Sequence, residues 1–401
     1  MMRKPLLIVA AAVTALLAAA CGNVSSSSGG GGDTPPGITA DQITIGATLP
    51  ITGTAAISGQ GLQAGIEIAV DEINANGGIG GRKVNAIILD DGYTADRVVT
   101  NVRRLVSQEN VYAIVAPAGS QGLPGTWQFL SESKTPTWGP ISPADPKQAE
   151  VYLLSATRAA QDAVAIDYFA KKGAKRLAVI QQDNDLGVSA KQALAAQMPK
   201  HPDMQIVADE TTQAANTEVS SAVNKVVAAQ PDAVLLAEDN TSSALILKQL
   251  RAQGFTGMVF ADQGAGGTGG TSTVGPAGDA AEGFLGGMQA DTVSTDNPAV
   301  EHWRELAKAS GKPQAESGFS LQTYSYVQAF AELVKRMGDD VSYANFQKTA
   351  EGLATDPIKL GSIPDIECGP LPDGHTCAKQ AGIAKYTGGK WVVEQQFMAP
   401  V

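Results

Sequence analysis

The chain has 401 residues, more than one small core needs and enough for about two domains. Hydrophobic residues make up 43% and charged ones 17%, which excludes a disordered chain. With 29 basic against 40 acidic residues the formal net charge is −11, which excludes a phosphate-tracking nucleic-acid binder, and three histidines and three cysteines leave little material for a metal or thiol enzyme.

Arg3 and Lys4 precede an apolar run from Leu6 to Ala20 that is too short to span a bilayer, which takes about 20 residues. A basic start, a short apolar stretch and small residues before a cut site describe a secretory signal over residues 1–20. Leu17-Ala18-Ala19-Ala20-Cys21 resembles a bacterial lipobox, with Leu four rather than three positions before the cysteine; it implies lipidation at Cys21, the alternative being an ordinary signal cut with Cys21 incidental. Ser25 to Ser28, Gly29 to Gly32 and Pro35-Pro36 read as a flexible tether over residues 21–40. Later runs fall short of the roughly 18 apolar residues of a spanning helix, so lipid is the only membrane attachment expected.

From Ile43 short apolar runs alternate with amphipathic stretches. The predicted strands are Ile43–Leu49, Val84–Leu89, Tyr112–Ala116 and Thr135–Trp138, with helices from Ser58 (read as the cap) to Ile73, from Thr94 to Gln108 and from Gly122 to Ser131. The alternation resumes with helix Ala159–Lys172, strand Arg176–Gln182, helix Leu186–Met198, strand Gln205–Thr211, helix Thr217–Ala229, strand Ala233–Leu236, helix Thr241–Gln253 and strand Met258–Ala261. Helices follow at Pro298–Ser310, Ser317–Met337 and Tyr343–Leu353, and the chain closes in a hairpin, Ile383–Tyr386 and Trp391–Gln396, across Gly388-Gly389. Alternating β and α elements imply parallel sheets covered on both faces, and two such series imply two doubly wound lobes. Ligands of open α/β sheets sit beyond the carboxyl ends of the strands, so the loops after Leu49, Ala116, Trp138, Gln182, Leu236 and Ala261 are the expected functional surface.

Export leaves Cys368 and Cys377 as an even pair in an oxidising compartment. A disulfide is the first reading, and a metal clip with His375, which lacks a nearby fourth ligand, is the alternative. Gly264 to Gly269 contains GxGxxG after a strand, but with no firm helix opening it reads as a mobile cleft-edge loop. Asp90-Asp91, Asp183 with Asp185, and Glu238-Asp239 are read as helix caps and solvated groups rather than acid/base pairs or calcium ligands. His201, His302 and His375 are expected at the surface; Trp127, Trp138, Trp303 and Trp391 are expected to pack. No nucleophile elbow or Cys/His pair suggests catalysis, so no enzyme, metal or cofactor is expected.

Ile45-Gly46, Pro50-Ile51-Thr52-Gly53, Gly65, Asp71-Glu72-Ile73-Asn74 and Gly77-Gly78-Ile79-Gly80-Gly81-Arg82 occur in an order and spacing that resembles the extracytoplasmic solute-binding proteins of branched-chain amino-acid ABC transporters. The resemblance covers about Gln42 to Trp391. It implies the type I periplasmic binding protein fold: two Rossmann-like lobes joined by three crossovers, lobe I over 41–157 and 290–380, lobe II over 158–289 and 381–401. It implies a monomer that closes on a small-molecule ligand and presents it to an ABC permease. It places the ligand carboxylate on Ser120, within Ala116-Pro117-Ala118-Gly119-Ser120, where a hydroxyl and helix-start N–H groups suit an anion. Ser58, Ser142 and Phe319 are further contacts. In lobe II the usual tyrosine is replaced by Leu186, a second aromatic by Asp239, and the ammonium-pairing acid by Gln263, which carries no charge. Either Asp239 takes over the ammonium or the ligand lacks one. Alternatives are a sensory receptor for an amide or aromatic acid and, from another class, an extracytoplasmic hydrolase.

Overall fold

The computed structural model describes residues 34–53, 55–119, 122–141, 150–213, 218–266, 273–372 and 374–401. The signal, Cys21 and most of the tether lie outside them.

The first strands follow the alternation: β1 (Gln42–Leu49), β2 (Lys83–Asp90), β3 (Ala113–Val115), β4 (Thr137–Trp138) and β5 (Val151–Tyr152) form a parallel sheet in the order β2-β1-β3-β4-β5. The connecting helices are α1 (Ala56–Ala75), α2 (Ala95–Ser107) and α3 (Trp127–Ser133). The stretch before α3, read as helix from Gly122, starts as a 3₁₀ turn over Leu123–Thr126, with Pro124 inside it. Ser58 does not cap α1: Ala55 holds the cap position, no side chain bonds there, and Ser58 is already inside the first turn.

The second sheet has the order β12-β11-β10-β9-β8-β6-β7. It comprises β6 (Arg176–Gln182), β7 (Gln205–Thr212), β8 (Ala233–Ala237), β9 (Met258–Ala261), β10 (Leu285–Met288), β11 (Ala381–Thr387) and β12 (Lys390–Met398). All pairings are parallel except those of β11, which runs antiparallel to both neighbours. Its hairpin turns on Gly388 and Gly389, whose φ values of 57° and 79° suit the turn that matches strand twist. The helices are α4 (Arg158–Lys171), α5 (Asp185–Gln197), α6 (Ser220–Ala228), α7 (Asn240–Ala252) and the single turns α8 (Gln263–Gly266) and α9 (Val274–Ala277). Between β10 and β11 come α10 (Pro298–Ser310), α11 (Gly318–Met337) and α12 (Tyr343–Gly352), all packed on the first sheet's core.

Among the described residues four apolar cores cover the two sheets. One joins the first sheet to α1, α10, α11 and α12, and a smaller one lies with α2 and α3 on the other face. The second sheet is covered by α4 and α5 on one side and α6, α7 and α9 on the other. Each sheet is therefore doubly wound. The chain passes between the sheets three times, after β5, after β10 and before β11. Helices α1 and α11 pack tightly, and a Cβ on Gly65 would lie 2.1 Å from the Ser320 carbonyl oxygen. Only glycine permits that approach.

Cys368 and Cys377 are buried and disulfide-bonded, so their sulfurs are not free for the metal clip. His375 is not at the surface: it is fully buried, its ring stacked on Tyr152 at 4.3 Å between centroids. The burial follows from the disulfide loop being pinned on the first sheet, where Leu153 donates its N–H to the His375 carbonyl at 2.8 Å. His201 faces Asp167 at 2.6 Å and exposed His302 faces Glu72 at 2.6 Å. Trp127, Trp138 and Trp303 are buried packing residues. Among the described residues no helix is long and apolar enough to cross a membrane.

Candidate functional site

The carboxyl ends of the strands gather the candidate residues. At the first sheet, the Ala118 N–H donates to the Thr48 carbonyl at 2.9 Å and the Ile141 N–H to the Pro117 carbonyl at 2.8 Å. The end of β1 and the loops after β3 and β4 are thereby stitched side by side. Ser120 and Ser142 belong to these two loops and lie outside the described residues. Asp90 and Asp91, at the end of β2, are taken up by the protein. Asp90 accepts from the Thr52 hydroxyl at 2.7 Å and pairs with Arg97 at 3.1 Å. Asp91 accepts from Thr48 at 3.0 Å and the Tyr93 N–H at 2.8 Å.

Half-buried Phe319 stands in the first turn of α11, whose cap is Ser317. Phe319, exposed Ile57, Val293, Lys312, Glu316 and, from β12, half-buried Trp391 help line a cavity of about 940 Å³. Ser58 is half-buried next to Ile57.

At the second sheet the ends of β6, β7 and β8 carry a polar group. Asp239 caps α7: its carboxylate accepts from the Ser242 N–H at 2.9 Å, the Ser242 hydroxyl at 3.1 Å and Gln182 Nε2 at 2.5 Å. Burial alone would raise its pKa, but those hydrogen bonds outweigh it and hold the carboxyl below its ordinary value. Asp239 is thus an ionised cap already spoken for, not an open carboxylate. Gln182 is held in turn by Asn184 at 2.8 Å. Glu238 is buried with one oxygen accepting from Thr212 at 2.7 Å. Burial, with Asp239's charge adding, pushes its pKa up to about 7 against the bonds from Thr212 and Gln182. Leu186 opens α5 with its side chain half-buried against the core on the α4–α5 face. Asp183 and Asp185 are exposed.

Gln263 follows β9 and is half-buried; its backbone N–H donates to Gln161 Oε1 at 2.9 Å. Its neighbour Asp262 is buried and paired with Arg158 at 2.6 Å, while its other oxygen accepts from the Gly264 N–H at 2.7 Å. Fully buried Asp162 lies beside this pair; desolvation, and then Asp262's charge, raise its pKa well above the ordinary range against Arg158's pull. The three described lobe II positions, Leu186, Asp239 and Gln263, therefore all lie at the carboxyl edge of one sheet. Residues 267–272, which hold part of the GxGxxG run, lie outside the described residues. No group of three or more His, Cys, Asp or Glu is arranged to hold a metal ion among the described residues.

Gln161, Arg158 and Glu238 are missing from the sequence-derived contact set. The first two had a signal: a polar residue at 158, 161 and 162 falls on one face of a helix whose neighbours are apolar. Glu238 gives a direct test of the polar edge. A folded-state pKa above the unfolded one means stability is full below about 4.5 and is lost as pH rises through about 7. Glu238→Gln is expected to flatten the stability profile between pH 5 and 8 by at most roughly 3 kcal/mol, read as urea midpoints at several pH values. Parallel profiles for the two proteins would contradict the assignment.

Comparison with known proteins places this arrangement. An amino acid binding protein of Pseudomonas aeruginosa is 26% identical over 325 residues, 79% of this chain and 83% of that one. A Leu/Ile/Val-binding protein homolog of Brucella melitensis is 27% identical over 341 residues, 82% and 88% of the two chains. Among solved structures, a branched-chain amino acid ABC transporter protein of Thermus thermophilus with bound valine superposes with a TM-score of 0.72 at 18% identity, covering 90% of this chain and 97% of its own. The branched-chain amino acid transporter substrate-binding protein of Streptococcus pneumoniae, in complex with isoleucine, gives 0.71 at 22%, covering 89% and 100%. These neighbours share the type I periplasmic binding protein fold. A model of the periplasmic binding proteins matches residues 42–385, most of the sequence from the start of β1 into β11, and the chain belongs to that family.

Proposed function

We propose that the protein is a lipid-anchored substrate-binding protein of an ABC importer. It captures a small polar solute, an amino acid or a related compound, between its lobes and delivers it to a membrane permease. The observation that carries this reading is the family match across both sheets, whose carboxyl edges each present a set of loops. The two named relatives and the valine- and isoleucine-bound neighbours support a branched-chain amino acid as the first solute to test. The lobes are taken as 41–157 with 290–380 and 158–289 with 381–401; in support, the apolar cores change near these bounds, between Leu154 and Ala156, between Leu285 and Ala290, and between Cys377 and Ala381. Ser120, Ser58, Ser142 and Phe319 would contact the solute from lobe I, and Leu186, Asp239 and Gln263 from lobe II. Ligand energy drives closure, and no catalysis, cofactor or nucleic acid takes part. The chain acts as a monomer on the outer side of the membrane, held through lipid at Cys21.

A second reading has its own observation. Asp239 and Asp262 are both committed to internal partners, and Gln263 is uncharged, so an amide or aromatic acid without an ammonium group also suits lobe II. A thermal-shift screen of branched-chain amino acids, amides and organic acids decides between them. A shift with leucine, isoleucine or valine supports the first reading, a shift only with ammonium-free compounds supports the second, and no shift with any compound contradicts solute capture. For a carboxylate ligand, Ser120→Ala is expected to weaken affinity about tenfold, the loss of one hydrogen bond to a charged group. Unchanged affinity removes Ser120 from the site.

A further inference from the structure

We infer that Gln161 is a positioning residue that ties the solute-facing loop after β9 to two of the strands on which the lobes hinge. The inference rests on the reading above insofar as it takes residues 153–157 and 289–291 as hinges and Gln263 as a solute contact.

Gln161 sits in the first turn of α4, 2% exposed, and both ends of its amide are used. Its Oε1 accepts the Gln263 N–H at 2.9 Å. Its Nε2 donates to the Ala156 carbonyl at 3.3 Å. That carbonyl also accepts from Gln289 Nε2 at 2.8 Å. Ala156 lies on the first passage between the sheets and Gln289 on the second, so one backbone oxygen joins the two hinge strands and Gln161 joins that oxygen to the loop. The strand beneath is shaped for it. A Cβ on Gly287 of β10 would lie 2.7 Å from Gln161 Oε1 and 2.7 Å from the Gln263 nitrogen, so a side chain there would sever the link.

The physics favours transmission rather than slack. A buried amide whose donor and acceptor are both satisfied is costly to break on either side, because each freed group is left without water. Displacing Gln263 therefore pulls on Ala156, and bending the hinge pulls on Gln263. Closure and loop position become one equilibrium, as coupling between a site and a moving element requires.

The test compares unliganded proteins. Nitroxide labels at Gln128→Cys on α3 and Lys191→Cys on α5, both exposed, report the distance between lobes by electron double resonance. Amide hydrogen exchange reports the Gln263 N–H. Gln161→Met keeps volume and removes both bonds; it is expected to broaden the interlobe distance distribution and speed Gln263 exchange roughly 100-fold, the opening of one buried hydrogen bond. Gln289→Met cuts only the hinge bond and is expected to broaden the distances and to speed Gln263 exchange far less than Gln161→Met does, because Gln161 still holds that N–H. A Gln161→Met distribution identical to wild type overturns the inference, as does faster Gln263 exchange in Gln289→Met equal to that in Gln161→Met. Failure of solute capture is read separately, in wild type, as no compound changing the distance.

Discussion

Phe346→Ala is expected to cost about 4 kcal/mol of first-lobe stability, the range for emptying a fully packed aromatic site. Phe346 comes from α12 and is 1% exposed. Its ring lies 6.2 Å from Tyr112, 6.0 Å from Trp138, 5.6 Å from Tyr152 and 6.3 Å from Phe330, edge-on to the first three. Edge-to-face pairs of this kind contribute beyond their buried area. The cluster clamps β4 and β5, two-residue strands with few ladder hydrogen bonds of their own, and β4 leads into the loop that carries Ile141 and Ser142. Loss of the ring should therefore loosen the loop as well as the core. Urea denaturation followed by tryptophan fluorescence measures the cost, and Phe346→Leu should recover most of it, leaving less than about 1.5 kcal/mol. A loss under 1.5 kcal/mol for the alanine variant would show that α12 does not hold this edge.

Arg158→Met should destabilise the second lobe by about 3 kcal/mol, near the lower end for breaking a buried ion pair because the Arg158 side chain keeps 35% of its exposure. The cost lies in what remains. Asp262 is buried, and beside it lies fully buried Asp162, whose pKa is raised first by desolvation and then by Asp262's charge. Without Arg158 the Asp262 carboxylate is a buried anion with two backbone N–H groups for company, from Gly264 at 2.7 Å and a longer one from Ala265 at 3.4 Å. Arg158→Met with Asp262→Asn should then be more stable than Arg158→Met alone, since the amide oxygen still accepts from Gly264 and no charge is stranded. A double variant no better than the single one would mean that the guanidinium's packing, not its charge, holds the loop.

The alternation of buried strands with amphipathic helices carried most of the fold. β6 and β9 have the predicted bounds, and α10, α11 and α12 fall within a residue of theirs, because long apolar periodicity and caps such as Asn297 and Ser317 are local signals. The elements missed were those whose information is not local. β5 is Val151–Tyr152, too short to show a period, and β10 reads Leu-Gly-Gly-Met, where glycine weakens the strand signal. Those glycines are there for their neighbours: Gly287 makes room for Gln161 and Gly286 for the backbone of Gly266. Ser58 looked like a cap because a serine precedes an apolar stripe, but α1 begins two residues earlier at Ala56. His375 looked solvated because its neighbours are turn formers; the disulfide and Tyr152 put it inside.

The site was legible as a set of loops and less so as chemistry. Strand ends could be read from β1, β3, β4, β6, β8 and β9, and with them the edge where ligands of open sheets sit. What each carboxylate does there depended on partners far apart in sequence. Asp239 is separated from Gln182 by 57 residues and Asp262 from Arg158 by 104; the first contact turns the candidate ammonium ligand into an internal acceptor, and the second commits the carboxylate beside Gln263.

Solute-driven closure of the two lobes is the central claim, and small-angle X-ray scattering of the protein with and without the solute that most raises its melting temperature tests it most directly. A smaller radius of gyration in the saturated protein, reached in proportion to occupancy, is the result predicted. An unchanged radius with the solute bound would contradict capture by closure.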